Sequence, residues 1–184
     1  DLQSKLEEAE ARYANLDIEA FKRATDEAAA LLPCLVDPIP RGLAASYHRF
    51  HGLRGFVDGD PVRSTSAFAA ARAIEPAYTF PEVLVPKGNP VLVEYTVVDV
   101  AKGKYEEVPA DLKGRVRFDG RETDQRPASW PTIAQRVDEG GAIGATALLL
   151  PADALPWAAA APIASETELP PVKKGGPNKP MLVA

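Results

Sequence analysis

Proline divides this chain more sharply than any other residue: of 18 prolines in 184 residues, none precedes Pro33 and seven fall between residues 151 and 184. A proline donates no backbone hydrogen bond and its ring clashes with the preceding helical turn, so helix interiors and central strands exclude it. Residues 1–32 are therefore free to be continuous helix, and the C-terminal stretch is not. Hydrophobic residues at 46% and charged residues at 26% match the ordinary globular mixture, so the part between is expected to fold. A net charge of -5 offers no cationic footprint for a phosphate backbone, which argues against nucleic acid as a partner. One cysteine, Cys34, excludes an intramolecular disulfide and a Cys-rich metal site.

Within residues 1–32 the apolar positions recur at intervals of three and four. Leu2, Leu6, Ala9, Tyr13 and Leu16 form one stripe, with Lys5, Glu7, Glu8, Glu10 and Arg12 on the other face, the pattern of an amphipathic helix. Asp17 fits an N-cap, and Ile18, Phe21, Thr25, Ala28 and Leu32 form a second stripe that ends at Pro33. The pair reads as a helical hairpin with a very short connection. Residues 34–40, with Pro38 and Pro40, read as a linker. Beyond it Leu43, Tyr47, Phe50, Arg54 and Val57 make a third stripe. Gly52 and Gly55 interrupt it, each costing about 1 kcal/mol against alanine, so something must compensate. Asp58-Gly59 ends this helix, and Asp60-Pro61 supplies an N-cap followed by proline at the first helical position. The next helix carries Ser64, Phe68, Ala71 and Ile74 on one side and stops at Pro76.

Gly52, Gly59, Phe68, Ala71 and Pro76 stand at the spacings of tetratricopeptide (TPR) repeats, helix-turn-helix units of 34 residues, and the segment resembles that family. The resemblance implies paired helices in close approach, which would make a glycine useful at Gly52, and a concave surface that recognises a protein. His48, His51 and Gly55 depart from the family pattern, which usually has large apolar or aromatic residues there, and Ser64 stands where alanine is usual. One recognisable and one degenerate TPR-like unit would span residues 2–76. After the Pro-rich residues 78–90, residues 91–102 admit two readings. Val91, Val93, Tyr95, Val97 and Val100 favour strand, whereas Asn89-Pro90 looks like a helix start. A third helix capping the open end of the second hairpin is the favoured reading.

From Gly114 the period changes to two. Residues 115–118 followed by Asp119-Gly120 read as a strand ending in a hairpin dipeptide, and residues 132–137 and 142–150 as a second hairpin about the turn 138–141. Four short strands are expected to form a small β-sandwich or barrel-like module. The strand with its Asp-Gly turn resembles the PEGA-type β modules of bacterial envelope proteins. The expected fold is α+β: TPR-like α-helical hairpins over residues 1–103, a small antiparallel β module over 113–151 and a Pro-rich linker or tail over 152–184, with the helical and β parts separable.

Candidate chemistry is sparse. His48 and His51 stand at i, i+3 on a helix, but a zinc helix needs His at i, i+4 with a Glu between them and a further ligand, so packing is the preferred reading. Cys34, at a helix end rather than a helix start, is expected to be a buried, inert thiol. The glycines of residues 140–144 fit a hairpin turn better than a phosphate loop. Trp130 and Trp157 look like exposed aromatics of the kind that anchor partners, although single tryptophans more often pack at a domain junction.

The leading expectation is a non-enzymatic protein-interaction or scaffold module with no catalytic residue, metal or cofactor. Its partner-binding residues would be Trp130, Trp157, Tyr47 and Arg54. One alternative is a small metal-dependent hydrolase using His48 and His51 with Asp58, Asp60 or Glu75; another is a glycan-binding module using Trp130 and Trp157. Asp1 in place of an initiating Met suggests a processed chain and, with the PEGA-like resemblance, a periplasmic or cell-envelope location. Lys173, Lys174 and Lys179 ahead of the apolar residues 181–184 look like the flank of a membrane helix that would follow Ala184.

Overall fold

Two helical hairpins and a four-stranded sheet share one core in the computed structural model, which describes residues 1–158. The lysines and the apolar run of the C-terminal tail lie outside the described residues, as does the expected linker after residue 158.

The helices begin where short polar side chains satisfy their first amides. Asp1 caps α1 (Leu2–Ala14), accepting from Ser4 N at 2.8 Å, and Asp17 caps α2 (Ile18–Leu31), accepting from Ala20 N at 3.3 Å. Leu2, Leu6, Ala9 and Tyr13 face Phe21, Ala24 and Ala28 in the core. Leu16 does not join them: it leaves the helix with φ 58° and is 80% exposed. A 3-10 turn, Leu32–Cys34, follows α2. Cys34 is exposed, contrary to the buried thiol expected, because Leu32 takes the inward side of that turn.

Helix α3 (Arg41–Asp58) is the centre of the molecule. Tyr47, His48, Phe50, His51 and Leu53 are all buried, since α1, α2, α4 (Pro61–Ile74) and the sheet each cover a side of it. Gly59, at φ 70°, ends α3, and Asp60 caps α4 by accepting from Arg63 N at 3.0 Å. The contact between α3 and α4 accounts for both glycines in the middle of α3. A Cβ at Gly52 would collide with the Phe68 ring, and one at Gly55 would lie 2.6 Å from Ser64 N. Close approach of the two helices thus offsets the poor helix propensity of glycine.

The helical reading of residues 91–102 holds for their first part. Asn89 Oδ1 accepts from Val91 N at 3.0 Å and starts α5 (Pro90–Val97), whose Val91 and Tyr95 enter the core beside α4. Residues Val100–Lys102 form a second 3-10 turn.

The β part comprises β1 (Tyr105–Glu107), β2 (Val116–Phe118), β3 (Arg121–Glu122), β4 (Gln125–Pro127), β5 (Thr132–Val137) and β6 (Ile143–Leu149). Strands β3-β2-β5-β6 form an antiparallel sheet, and β1 pairs with β4 in a separate ribbon. Asp119 and Gly120 both have positive φ, 48° and 77°, as a two-residue hairpin turn between right-twisted strands requires. Among the described residues the strands form an open four-stranded sheet and a two-stranded ribbon, not the closed barrel that is one expectation. One face of the sheet turns Ile133 and Leu148 into the helical core. The other packs Val116, Phe118, Ala134 and Leu149 under Val108, Leu112 and Leu155. Both faces of β5 are therefore covered, which explains why Thr132, Ile133, Ala134 and Gln135 are buried in succession.

The linker between the hairpins is itself fastened to the sheet. Gln135 Oε1 accepts from Ile39 N at 2.8 Å, Gln135 Nε2 donates to Asp37 O at 3.0 Å, and Thr146 Oγ1 donates to Leu35 O at 3.3 Å. Gln135 is 0% exposed, and its amide satisfies the Ile39 amide, which would otherwise be buried without a partner.

The glycine contacts give a direct test. Gly52→Ala is expected to lower stability by about 1–3 kcal/mol through overpacking against Phe68, whereas alanine at a solvent-facing helical glycine would raise it by up to about 1 kcal/mol. Urea unfolding followed by circular dichroism reads the sign, and an unchanged or higher midpoint would refute the close packing of α3 on α4.

Candidate functional site

At the helix–sheet junction, three donors converge on one carboxylate. His48 Nε2 lies 2.9 Å from Asp119 Oδ1, Ile133 N donates to the same oxygen at 2.8 Å, and Thr132 Oγ1 donates to Oδ2 at 2.7 Å. A carboxylate can only accept, so His48 carries its proton on Nε2 in this contact. The pair has the look of a catalytic dyad, but His48 is 1% exposed, Asp119 is 4% exposed, and both oxygens of Asp119 are committed to protein donors. Its arrangement suits holding the turn against α3.

His51 occupies a different environment. Its ring centroid is 4.2 Å from that of Tyr47, and Arg63 Nη2 lies 3.4 Å from Nδ1. Arginine only donates, so Nδ1 accepts and the proton sits on Nε2, which has no acceptor. Burial, reinforced by the charge on Arg63, lowers the pKa of this imidazole from 6.5 to about 3. The candidate metal partners do not gather around it. Asp58 binds Arg54 and Lys22, Asp60 caps α4, and Glu75 pairs with Arg49 at 2.6 Å. Among the described residues no three His, Cys, Asp or Glu side chains form a metal-binding group.

The residues expected to bind a partner are mostly occupied inside the fold. Tyr47 is 1% exposed, and burial raises its phenol pKa. Arg54 donates to Lys22 O at 2.8 Å, to Asp26 Oδ1 at 3.0 Å and to Asp58 Oδ2 at 2.6 Å, bracing α3 against α2. Trp130, which looks exposed in sequence, is buried on Ala69 and Ala70, because these small residues of α4 leave room for an indole. Trp157 is half-buried against the cluster on the far face of the sheet, so the two tryptophans do not share a surface.

An open apolar site lies elsewhere, in a groove of about 480 Å³ between the end of α4, residues 76–89 and α5. Tyr78, Phe80 and Tyr95 line it, their rings meeting edge to face at centroid distances of 4.9–6.4 Å. Arg49 lies 3.7 Å over the Tyr78 ring and anchors that wall. The charges at the rim are paired internally: Arg72 Nη1 donates to Thr96 O at 2.7 Å and Val98 O at 2.9 Å, and Lys87 pairs with Glu82 at 2.7 Å. Tyr95 is 4% exposed, and its hydroxyl is buried with no hydrogen-bond partner. Burial raises its pKa, so the phenol stays a neutral donor. Val93 and Val97 on α5, and Val83 in the loop, are 63–78% exposed nearby. Sequence reasoning treats residues 78–90 as a connector; the signal there is Tyr78 and Phe80 set among prolines and followed by Tyr95.

No protein-family model, no curated protein and no solved structure matches this chain.

Two outcomes follow from the buried histidines. Asp119→Asn should lower stability by about 3 kcal/mol, since it breaks a buried charged network from one side, and chemical denaturation measures this directly. For His51, the unfolded chain takes up its proton near pH 6.5 and the folded chain only near 3. The His51 contribution is thus complete above pH 6.5 and is lost as pH falls toward 3, by up to about 1.4 kcal/mol per pH unit. His51→Gln should flatten that part of the stability–pH curve relative to the parent chain; parallel curves would show that His51 is not buried neutral.

Proposed function

We propose that this chain is a non-catalytic protein-binding module whose docking site is the aromatic groove between α4 and α5, and that its ligand is a proline-rich, extended segment of a partner protein. The observation that carries the reading is the open groove walled by the Tyr78, Phe80 and Tyr95 rings; beneath it the Tyr95 hydroxyl is buried with no acceptor. An extended polyproline II segment has no internal hydrogen bonds, so its carbonyls are free to accept, and its rings pack flat on aromatic side chains. Because Arg72, Lys87 and Glu82 are already paired, the groove favours a neutral apolar ligand over a charged one. Binding is favoured over catalysis because the His48–Asp119 pair is closed to solvent and saturated by protein donors. An envelope setting belongs to the same proposal and rests on the TPR-like and PEGA-like resemblances.

Fluorescence polarisation tests this with labelled Pro-x-x-Pro peptides, an amphipathic helical peptide and a polar control. The proline-rich peptides should bind saturably, and Leu92→Glu, which places a charge in the groove wall, should abolish binding. Tyr95→Phe should weaken binding about fivefold while raising stability by about 1 kcal/mol, since it removes an unsatisfied buried hydroxyl. Equal binding of proline-rich and polar peptides would defeat the proposal.

A further inference from the structure

A second opening lies on the other side of α4, independent of the groove. It is a cleft of about 220 Å³ where the start of α3, the end of α4 and the β2–β3 turn meet, lined by Arg41, Arg121, Tyr105, Trp130, Thr123 and Gln125. The fold brings the two arginines together across 80 positions of sequence. A Cβ at Gly120 would collide with Ile39 O and lie 3.0 Å from Arg41 N, so the turn carrying Arg121 is pressed against the residue that starts α3.

The charge in this cleft is not balanced from within. Asp119 borders it, but its carboxylate is saturated by His48, Thr132 and Ile133. Arg41 uses one nitrogen to donate to Ile74 O at 3.1 Å. Among the described residues the Arg121 side chain has no hydrogen-bond or ion-pair partner, and it is exposed. A guanidinium offers five donors in a planar fork that matches a carboxylate or a phosphate. Trp130 adds an independent sign of a missing acceptor: it is 3% exposed, and its Nε1 has no hydrogen-bond partner. The benzo edge of that indole is held against Gly103. At the mouth, Tyr105 is 52% exposed and meets Trp130 edge to face at 6.0 Å.

We propose that this cleft binds a small anionic molecule, with Arg41 and Arg121 gripping a carboxylate or phosphate group, Trp130 Nε1 donating to it and Tyr105 covering its organic part. The volume is below the ~300 Å³ where drug-sized sites begin, which restricts the ligand to a compact molecule.

The experiment uses the full chain labelled with 15N, titrated at constant ionic strength with inorganic phosphate, with succinate and with chloride as the control. The indole N–H resonance of Trp130, assigned with Trp130→Phe, should move saturably with phosphate, succinate or both, and not with chloride; the responding anion identifies the headgroup. Arg121→Gln breaks no internal bond and should fold normally, yet weaken binding tenfold or more. Leu92→Glu, in the separate groove, should leave it unchanged. A resonance that stays still with both anions, or moves equally in Arg121→Gln, would overturn the proposal.

Discussion

The carboxylate of Asp119 is the point on which the two halves of this molecule depend. It stands in a hairpin turn at φ 48°, a conformation disfavoured for most side chains, and reaches from there to His48 on the central helix and to Thr132 and Ile133 on the next strand. A buried carboxylate without donors would be strongly unfavourable, so the turn is stable only where α3 and β5 supply them. Gln135 works in the same way one layer along, satisfying the backbone of the linker at Asp37 and Ile39. Polar atoms with few permitted partners thereby fix the relative position of helices and sheet more narrowly than apolar contact would, since apolar packing is non-directional.

What the sequence makes legible is whatever local chemistry decides. Asp17, the Gly59-Asp60-Pro61 junction and Asn89-Pro90 each define a helix boundary through a bond no more than three residues long. The Asp119-Gly120 turn follows from backbone conformation alone. The α+β character is readable for the same reason. The partner of the sheet is not, because alternation on β2 shows that a face is buried without showing what buries it. A helix-facing sheet and a sandwich share that pattern. For Trp130 the sequence offers both a partner anchor and junction packing, and Ala69 and Ala70, the small residues that admit it, lie 60 positions away. Arg41 and Arg121 carry no local signal at all.

The two openings differ in kind, and the difference follows from their position. The groove beside α5 is built within the helical part, from aromatic residues that also contribute to the core, so its shape is held by the same packing that stabilises the fold. The cleft at Arg41 and Arg121 exists only where the helical and β parts meet. Any shift of the sheet on α3 would change the spacing of its two guanidiniums and leave the groove untouched.

The linker from residues 35–39 has a consequence for how the chain reaches this structure. Its bonds to Gln135 and Thr146 span 96 to 111 residues, and the bond from His48 to Asp119 spans 71. Helices α1 to α4 involve local contacts and can form quickly, but the middle of α3 keeps a buried imidazole without its acceptor until β2 has been made and docked. Long loops must close before such contacts reward them, so completion of the fold is expected to be slow compared with formation of the helices. During synthesis on the ribosome, the N-terminal helices would wait, partly assembled, for strands that lie 71 to 111 residues further along the chain.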